Sequence, residues 1–257
     1  MRLHLFSPRF FARIRPLITA AKAVCPPIVW QAAYKALTNR GLPDAERYGI
    51  LYQPWREPDA RLLYGRVEAR TLVSPEGCWH LASRLRQSLA ATAGRSGAVY
   101  ELGVYKGGTA RILRELVEGT GGPLRLFDTF AGMDRTSPAR GDRHRPGDFS
   151  DTSLEGVKSF VGAEAFIDYR VGWVPDTFRG LEGDAVKFAH VDLDLHDPIL
   201  SSCEFIYPRL PSGGAMVFDD YGFPSTPGAR RAIDSFFKDK PEEPIILQSG
   251  QAIIIKI

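Results

Sequence analysis

The stretch VKFAHVDLDLHD (residues 186–197) joins an apolar run typical of a buried β-strand to three aspartates and a histidine. A second apolar run, GGAMVFDDYG (213–222), also ends in acids, Asp219 and Asp220. Carboxyl ends of parallel strands meet at one edge of a sheet, so these acids are expected to lie close together. Carboxylates this close cost stability unless a cation neutralises them.

Apolar runs alternate with helical patterns on both sides of this stretch, from residue 98 onward. Strand–helix alternation predicts an α/β fold with a doubly wound, mostly parallel Rossmann-like sheet. Two last apolar runs, PIILQ and QAIIIKI, are separated by Ser249–Gly250 and predict a C-terminal antiparallel hairpin. Together with this hairpin the sheet has seven strands, the first five of which are AVYELGV, PLRLFDTF, FIDYRVGW, VKFAHVDLDL and GGAMVFDDYG.

Residues 1–97 are predicted to form an N-terminal helical extension or cap, and residues 98–257 the sheet domain. The extension contains a helix after Pro26–Pro27 that ends near Gly41, an ordered loop region over 42–73, and a helix over 74–94 capped by Ser74. Its first 43 residues hold seven Arg or Lys and no acid. We interpret them as a basic accessory helix pair.

Composition excludes several classes of protein. The chain has 257 residues, a net charge of +3 and no apolar run long enough to span a membrane, so neither a nucleic-acid partner nor a transmembrane segment is expected. Its three cysteines are far apart and lack CxxC spacing, which predicts free thiols in the cytoplasm.

The turn ELGVYKGGTA (101–110) after the first strand indicates the charge of the ligand. Glu101 stands where the dinucleotide pattern GxGxxG has its first glycine, and an acid there disfavours a pyrophosphate. The same acid suits the amino group or sulfonium of S-adenosylmethionine. Gly103 would let the backbone approach this ligand, and Gly107–Gly108 would open the next helix without Cβ obstruction. Asp128, at the end of the second strand, is placed to accept the ribose hydroxyls.

The acids at the ends of the fourth and fifth strands predict a magnesium site. Asp192 and Asp194 are two residues apart, so in a strand they share one face. Oxygen ligands without a Cys or His cluster favour Mg²⁺ over zinc. We assign Asp192, Asp219 and Asp220 to the metal and Asp194 to the catalytic base, with His196 as the other candidate base.

At these residues the chain resembles the macrocin O-methyltransferase family, class I enzymes that methylate sugar hydroxyls on antibiotics using S-adenosylmethionine and Mg²⁺. The similarity covers roughly residues 98–238, and D-x-D-L (192–195) and V-F-D-D-Y-G (217–222) are its specific motifs. The resemblance implies the same metal ligands and the same aspartate base. His196 and Asp197 depart from the Tyr and acid or Gln usual in the family. The cofactor-binding residues predicted within the motifs are Glu101, Gly103, Tyr105, Gly107, Gly108, Thr109, Asp128, Phe130, Gly172, Trp173 and Asp192.

The resulting hypothesis is an enzyme of natural-product tailoring that methylates a hydroxyl of a sugar or of another diol-bearing small molecule. The charged loop 131–151 is expected to cover the acceptor, and a homo-oligomer is a further expectation. A nicotinamide-dependent oxidoreductase is one alternative, although no GxGxxG turn is present. A catalytically silent cofactor-binding protein is another. A nucleic-acid methyltransferase fits less well, because DLDL replaces the Asn/Asp-Pro-Pro-aromatic clamp.

Overall fold

The computed structural model describes Val29, residues 53–133, Arg135 and residues 143–257. Two short 3-10 turns, Pro54–Arg56 and Glu68–Arg70, flank the first described helix. The helices are α1 (Pro58–Gly65), α2 (Pro75–Ala91), α3 (Gly108–Val117), α4 (Leu154–Val161), α5 (His196–Ile206) and α6 (Pro227–Phe237). The strands are β1 (Ala98–Leu102), β2 (Leu124–Asp128), β3 (Ile167–Val171), β4 (Val186–Val191), β5 (Ala215–Phe218), β6 (Ile245–Ile246) and β7 (Ala252–Ile255).

The seven strands form one sheet in the order β3-β2-β1-β4-β5-β7-β6. β1 to β5 are parallel, whereas β7 pairs antiparallel with both β5 and β6. This confirms the predicted fold class, including the antiparallel terminal hairpin. Strand order reverses between β1 and β4, which is where ligands bind in sheets of this kind.

Helices cover both faces of the sheet. All residues of β1, β4 and β5 are buried, as expected for central parallel strands packed on both sides. One apolar core lies under α5 and α6 and includes Ile199 and Ile233. A second lies under α2, α3 and α4 and includes Leu85, Leu113 and Val161, and a smaller third cluster includes Val67 and Ile112.

Helix α2 begins as its sequence predicts. The Ser74 hydroxyl accepts a hydrogen bond from the Gly77 N–H at 3.0 Å, and Pro75 occupies the first turn. Leu81 and Leu85 point into the core one turn apart.

Residues 58–257 form one compact unit, and residues 1–57 are assigned to another. Helices α1 and α2 therefore belong to the unit that contains the sheet, while the division at residues 97 and 98 stays a prediction. The predicted loop region 42–73 is wrong where it is described, because α1 and the turn Glu68–Arg70 are helical. The helix predicted after Pro26–Pro27 lies outside the described residues, apart from Val29. Among the described helices, none is long and apolar enough to span a membrane.

Candidate active site

A cavity of about 310 Å³ opens at the carboxyl ends of β1, β2, β4 and β5, where strand order reverses. This volume is at the lower end of the range for small-molecule sites, roughly 300–1,000 Å³. Nine of the predicted site residues line it: Gly103, Tyr105, Thr109, Asp128, Trp173, Asp192, Asp194, Asp219 and Asp220.

The turn after β1 is fixed by Asp128 at the end of β2. One carboxylate oxygen of Asp128 accepts the backbone N–H groups of Val104 at 2.7 Å and Tyr105 at 2.9 Å. The other accepts the N–H of Phe130 at 2.7 Å. The first oxygen is saturated by its two donors, but the oxygen that accepts the Phe130 N–H keeps a lone pair, so Asp128 can still accept from a ligand in the cavity.

Glycine is required at position 103 for a structural reason that differs from the expected approach of a ligand. Its φ is +87°, and a Cβ atom there would lie 1.7 Å from the carbonyl oxygen of Asp192. Glycine is therefore required for the close approach of the β1 end to the β4 end, before any ligand is considered. Gly107 and Gly108 are also packing positions: a Cβ atom would meet Val161 at the first and Thr71 at the second. Neither lines the cavity.

Three carboxylates meet at one point of the cavity. Oxygen atoms of Asp192, Asp194 and Asp220 lie within 4.8 Å of one another. The expectation that Asp192 and Asp194 share a strand face is wrong, because β4 already ends at Val191. They converge through a turn in which Asp194 has φ +59° and donates its backbone N–H to Asp220 Oδ2 at 2.8 Å. A positive φ at a residue other than glycine is uncommon and concentrates at functional sites.

Asp219 lies beside this cluster but is held from another direction. Its Oδ1 accepts a hydrogen bond from Gln251 Nε2 at 2.8 Å. Gln251 is buried just before β7, so the C-terminal part of the sheet orients this carboxylate. The predicted ligand set of Asp192, Asp219 and Asp220 thus differs by one member from the three acids that the geometry brings together.

The local environment makes ionisation of these acids costly. Burial raises the pKa of Asp192 well above its ordinary value, and Asp219 and Asp194 raise it further. Burial also raises the pKa of Asp220 well above the ordinary value, with Asp194 as the next cause. For Asp219, burial raises the pKa, although His190 and the hydrogen bond from Gln251 oppose the rise. A cation among these oxygens would favour their ionised form.

His144 reaches the carboxylates from the loop that follows β2. Its Nε2 lies 3.3 Å from Asp194 Oδ1, and its Nδ1 lies 3.1 Å from Asp148 Oδ2. Asp194 raises the pKa of His144 to about 9 despite the opposing effect of burial, and Asp148 adds to the rise. The imidazole is therefore cationic at neutral pH. Its Nδ1 is hydrogen-bonded to Asp148, whereas its Nε2 meets Asp194 as an ion pair whose angle is not that of a hydrogen bond.

Glu101 and His190 form a buried pair beneath the cavity rather than part of its wall. Both side chains are fully buried, and Glu101 Oε1 lies 3.0 Å from His190 Nδ1. Glu101 Oε2 and His190 Nε2 have no hydrogen-bond partner among the described residues. The predicted contact of Glu101 with a cofactor stays a prediction.

Three other predicted site residues, besides Glu101, Gly107 and Gly108, are absent from the cavity wall. His196 is buried at the start of α5, with its Nδ1 at 2.7 Å from Asp197 Oδ1. Phe130 has φ +53° and packs near Tyr169. These two and Gly172 do not line the cavity, whereas Trp173 does, with Arg135 over its ring.

Sequence reasoning missed several residues that line the cavity, namely His144, Phe149, Leu72, Val73, Thr129, Phe223 and Ser225. Most stand in loops outside the strand ends on which that reasoning relied. The loop 131–151 was expected to cover the acceptor, and His144 and Phe149 lie within it, but no pattern singled out these two positions.

Comparison with known proteins gives a consistent picture. The family model described as Macrocin-O-methyltransferase (TylF) matches residues 76–249. A relative from Streptomyces olivaceus is 29% identical over 203 residues, 73% of this chain and 77% of its own length. That relative is the 8-demethyl-8-(2,3-dimethoxy-alpha-L-rhamnosyl)-tetracenomycin-C 4'-O-methyltransferase.

Two solved structures share the fold. The O-methyltransferase NovP matches with a TM-score of 0.62 at 19% identity, over 88% of this chain and 98% of its own. MycE methyltransferase in complex with Mg, SAH and mycinamycin VI matches with a TM-score of 0.50 at 17% identity. The match with MycE covers 78% of this chain and 54% of the other.

Fold, carboxylate cluster and relatives together define an O-methyltransferase with a Rossmann-like sheet. The match to the family model covers well over half of the residues. The chain belongs to the macrocin-O-methyltransferase (TylF) family.

Proposed function

We propose that this enzyme transfers the methyl group of S-adenosylmethionine to a hydroxyl of a sugar or another diol-bearing small molecule, with the help of Mg²⁺. The observation that carries the proposal is the convergence of Asp192, Asp194 and Asp220 in the cavity where strand order reverses. The Streptomyces olivaceus relative, named for a rhamnosyl-bearing substrate, supports a glycoside acceptor.

The carboxylates fit a magnesium ion. They offer only oxygen donors, which Mg²⁺ prefers, and burial and mutual repulsion leave their negative charge in need of compensation. Asp192 and Asp220 would hold the ion, with Asp219 as the third ligand. The Oδ1 of Asp219 is oriented by Gln251, which leaves its other oxygen for the metal.

The cofactor would lie along the ends of β1 and β2. Gly103, Tyr105, Thr109, Asp128 and Trp173 line that side of the cavity. Asp128 would accept the ribose hydroxyls, and Trp173 would provide an aromatic face. Glu101 is fully buried behind this wall and would act through its negative charge rather than by direct contact.

When bound, S-adenosylmethionine supplies an electrophilic methyl group, and Mg²⁺ lowers the pKa of a coordinated hydroxyl. The chain itself must position the acceptor and accept its proton. Asp194 is assigned to the second task, because its carboxylate borders the proposed metal ligands and lines the cavity. His196 is a weaker candidate, since it is buried outside the cavity wall.

The acceptor would enter between apolar side chains at the cavity rim. Leu72 and Phe223 are 73% and 42% exposed and both line the cavity. Phe149 adds a third apolar contact. Such surfaces suit the hydrophobic part of a glycoside and exclude water from the reacting hydroxyl.

Ligand-dependent thermal shifts test the cofactor. S-adenosylhomocysteine should raise the melting temperature of the enzyme, and Mg²⁺ should add to this rise. NAD serves as the matched control and should have no effect. Stabilisation by NAD alone would contradict the proposal.

Transfer of a labelled methyl group tests the acceptor. The panel consists of methyl α-L-rhamnopyranoside, a rhamnosylated polyketide and catechol, each with Mg²⁺ and with EDTA. We expect Mg²⁺-dependent transfer to a rhamnoside. Transfer to catechol alone would move the acceptor class from sugars to aromatic diols. A homo-oligomer and a cytoplasmic location are further proposals, the first of which light scattering tests directly.

A further inference from the structure

The position of His144 suggests a role that the sequence motifs do not assign. Its imidazole spans two carboxylates that are distant in the sequence, Asp148 at 3.1 Å and Asp194 at 3.3 Å. The side chains of His144 and Asp194 are only 19% and 18% exposed, so water screens the contact less than it would at the surface. His144 is therefore a bridge between the loop after β2 and the turn after β4.

The loop around His144 is ordered by its own contacts. Asp148 Oδ2 accepts the backbone N–H of Arg145 at 3.0 Å, and the backbone of Met133 exchanges hydrogen bonds with residues 147 and 148. The Phe149 ring lies 5.3 Å from the His144 ring and lines the cavity. These contacts hold the imidazole in place, so it can fix the carboxylate that it meets.

We propose that His144 is a positioning residue, which docks the loop after β2 onto the cavity and orients the Asp194 carboxylate for proton abstraction. The orienting part rests on the proposed function of Asp194, whereas the docking part does not. Within the described part of the chain, Asp194 is otherwise held by its backbone N–H, which Asp220 accepts, and by the nearby carboxyl groups of Asp192 and Asp220. Its carboxylate oxygens would rotate more freely without the imidazole.

Two substitutions separate the contacts of His144. His144→Gln places an uncharged amide N–H where Nε2 lies, 3.3 Å from Asp194 Oδ1, while the amide of His144→Asn can replace the Nδ1 donor toward Asp148. Deuterium exchange of the peptide covering residues 143–152, measured with S-adenosylhomocysteine and Mg²⁺ present, reports docking of the loop. We expect His144→Ala and His144→Asn to increase its exchange rate about tenfold or more, and His144→Gln to restore most of the protection.

A double-mutant cycle shows whether His144 acts through Asp194. Asp194→Ala should increase exchange of the same peptide, and adding His144→Ala should have little further effect, because the contact is already lost. The proposal would be overturned if the increase in exchange rate of the double variant equalled the product of the two single increases. Unchanged exchange in His144→Ala would overturn it as well. His80→Gln is the control: it alters a histidine–carboxylate pair on α2, with Glu76, and should not change exchange of this peptide.

Kinetics test the orienting part. With the rhamnoside that gives the fastest transfer in the panel above, His144→Asn should lower kcat about 10- to 100-fold, with little change in the KM for S-adenosylmethionine. His144→Gln should recover a large part of kcat. Equal loss in both variants would leave His144 a loop residue only. Absence of methyl transfer in the wild type would refute the proposed function, while the exchange cycle would still decide whether His144 docks onto Asp194.

Discussion

At the residue scale, Asp194 is constrained from three directions. Its backbone N–H is bound by Asp220, its carboxylate borders Asp192, and His144 lies 3.3 Å from its Oδ1. Its φ of +59° adds local strain of about 1–3 kcal/mol, which the surrounding contacts must offset. Such a position serves a group whose orientation matters.

Asp194→Asn tests the assignment of the base. The amide cannot accept a proton at neutral pH, so we expect turnover to decrease about 10²- to 10⁴-fold. The affinity for S-adenosylhomocysteine, measured by calorimetry, should remain near that of the wild type because the fold is retained. Turnover close to the wild-type value would instead assign the base role to His196.

Asp219→Ala tests the metal ligands. Loss of a residue that only supports a metal ligand typically lowers metal affinity roughly 10- to 100-fold. If Asp219 is itself a ligand, Asp219→Ala should therefore lower the Mn²⁺ affinity, measured by calorimetry, by at least that factor. Asp239→Asn is the control. It removes an exposed carboxylate just after the end of α6 and should leave the Mn²⁺ affinity unchanged. Wild-type affinity in Asp219→Ala would restrict the metal site to Asp192, Asp194 and Asp220.

At the scale of elements, the junction between the ends of β1 and β4 depends on one glycine. Because Gly103 approaches the Asp192 carbonyl so closely, a side chain there would displace the turn that carries Asp192 and Asp194. The position therefore couples sheet packing to the geometry of the carboxylates.

Gly103→Ala should lower the free energy of unfolding by more than ~2 kcal/mol, from the positive φ and the backbone clash together. Gly119→Ala is the matched control: its φ is +80°, but a Cβ atom would meet nothing within 4 Å. Urea denaturation of both variants separates the clash from the strain of the positive φ. Equal losses would mean that the β1 and β4 ends move apart at little cost.

From residue 74 onward the sequence predicts the elements well, since apolar runs and helix caps depend on local patterns, whereas α1 is missed. The ends of the strands were not. The run VKFAHVDLDL predicts a strand that continues through Asp194, yet β4 ends at Val191, because Asp194 adopts positive φ and its N–H binds Asp220. That bond joins residues 26 positions apart, and no local pattern encodes it.

At the scale of the whole molecule, the fold class followed from the order of strands and helices, and the acids of the cavity followed from the strand ends. The sequence does not predict the contributions of His144 and Gln251. Each depends on how a distant loop or strand meets Asp194 or Asp219. Glu101 is predicted to contact the cofactor, which stays a prediction; the structure shows its buried contact with His190.

The buried Glu242 side chain links the C-terminal end of the chain to the rest of the sheet domain. Glu242 is 3% exposed and accepts hydrogen bonds from the Tyr207 hydroxyl at 2.6 Å and the Ile257 N–H at 3.2 Å, with Lys256 Nζ at 3.2 Å. Burial alone would raise the pKa of Glu242, but these three partners lower it below the ordinary value of 4.5.

Glu242→Gln should lower the free energy of unfolding by about 1–3 kcal/mol at neutral pH. The pKa of Glu242 is lower in the folded than in the unfolded protein. Its contribution to stability is therefore fully present above the pKa of the unfolded state and is lost as the pH falls through the pKa of the folded state. The difference from wild type in urea denaturation should therefore shrink below pH 4.5. Glu243→Gln, at the exposed neighbouring position, should change stability little at any pH, and an equal effect there would refute the role of Glu242.

The position of β7 between β5 and β6 affects synthesis of the enzyme. Asp219 gains its partner Gln251 only after residue 251 has left the ribosome exit tunnel, and β5 gains its last neighbour only after residues 252–255 have followed. A nascent chain that stalls earlier exposes the edge of β5 and holds an incomplete site. The exposed edge favours aggregation, and Asp219 lacks the hydrogen bond that orients it until translation has passed that point.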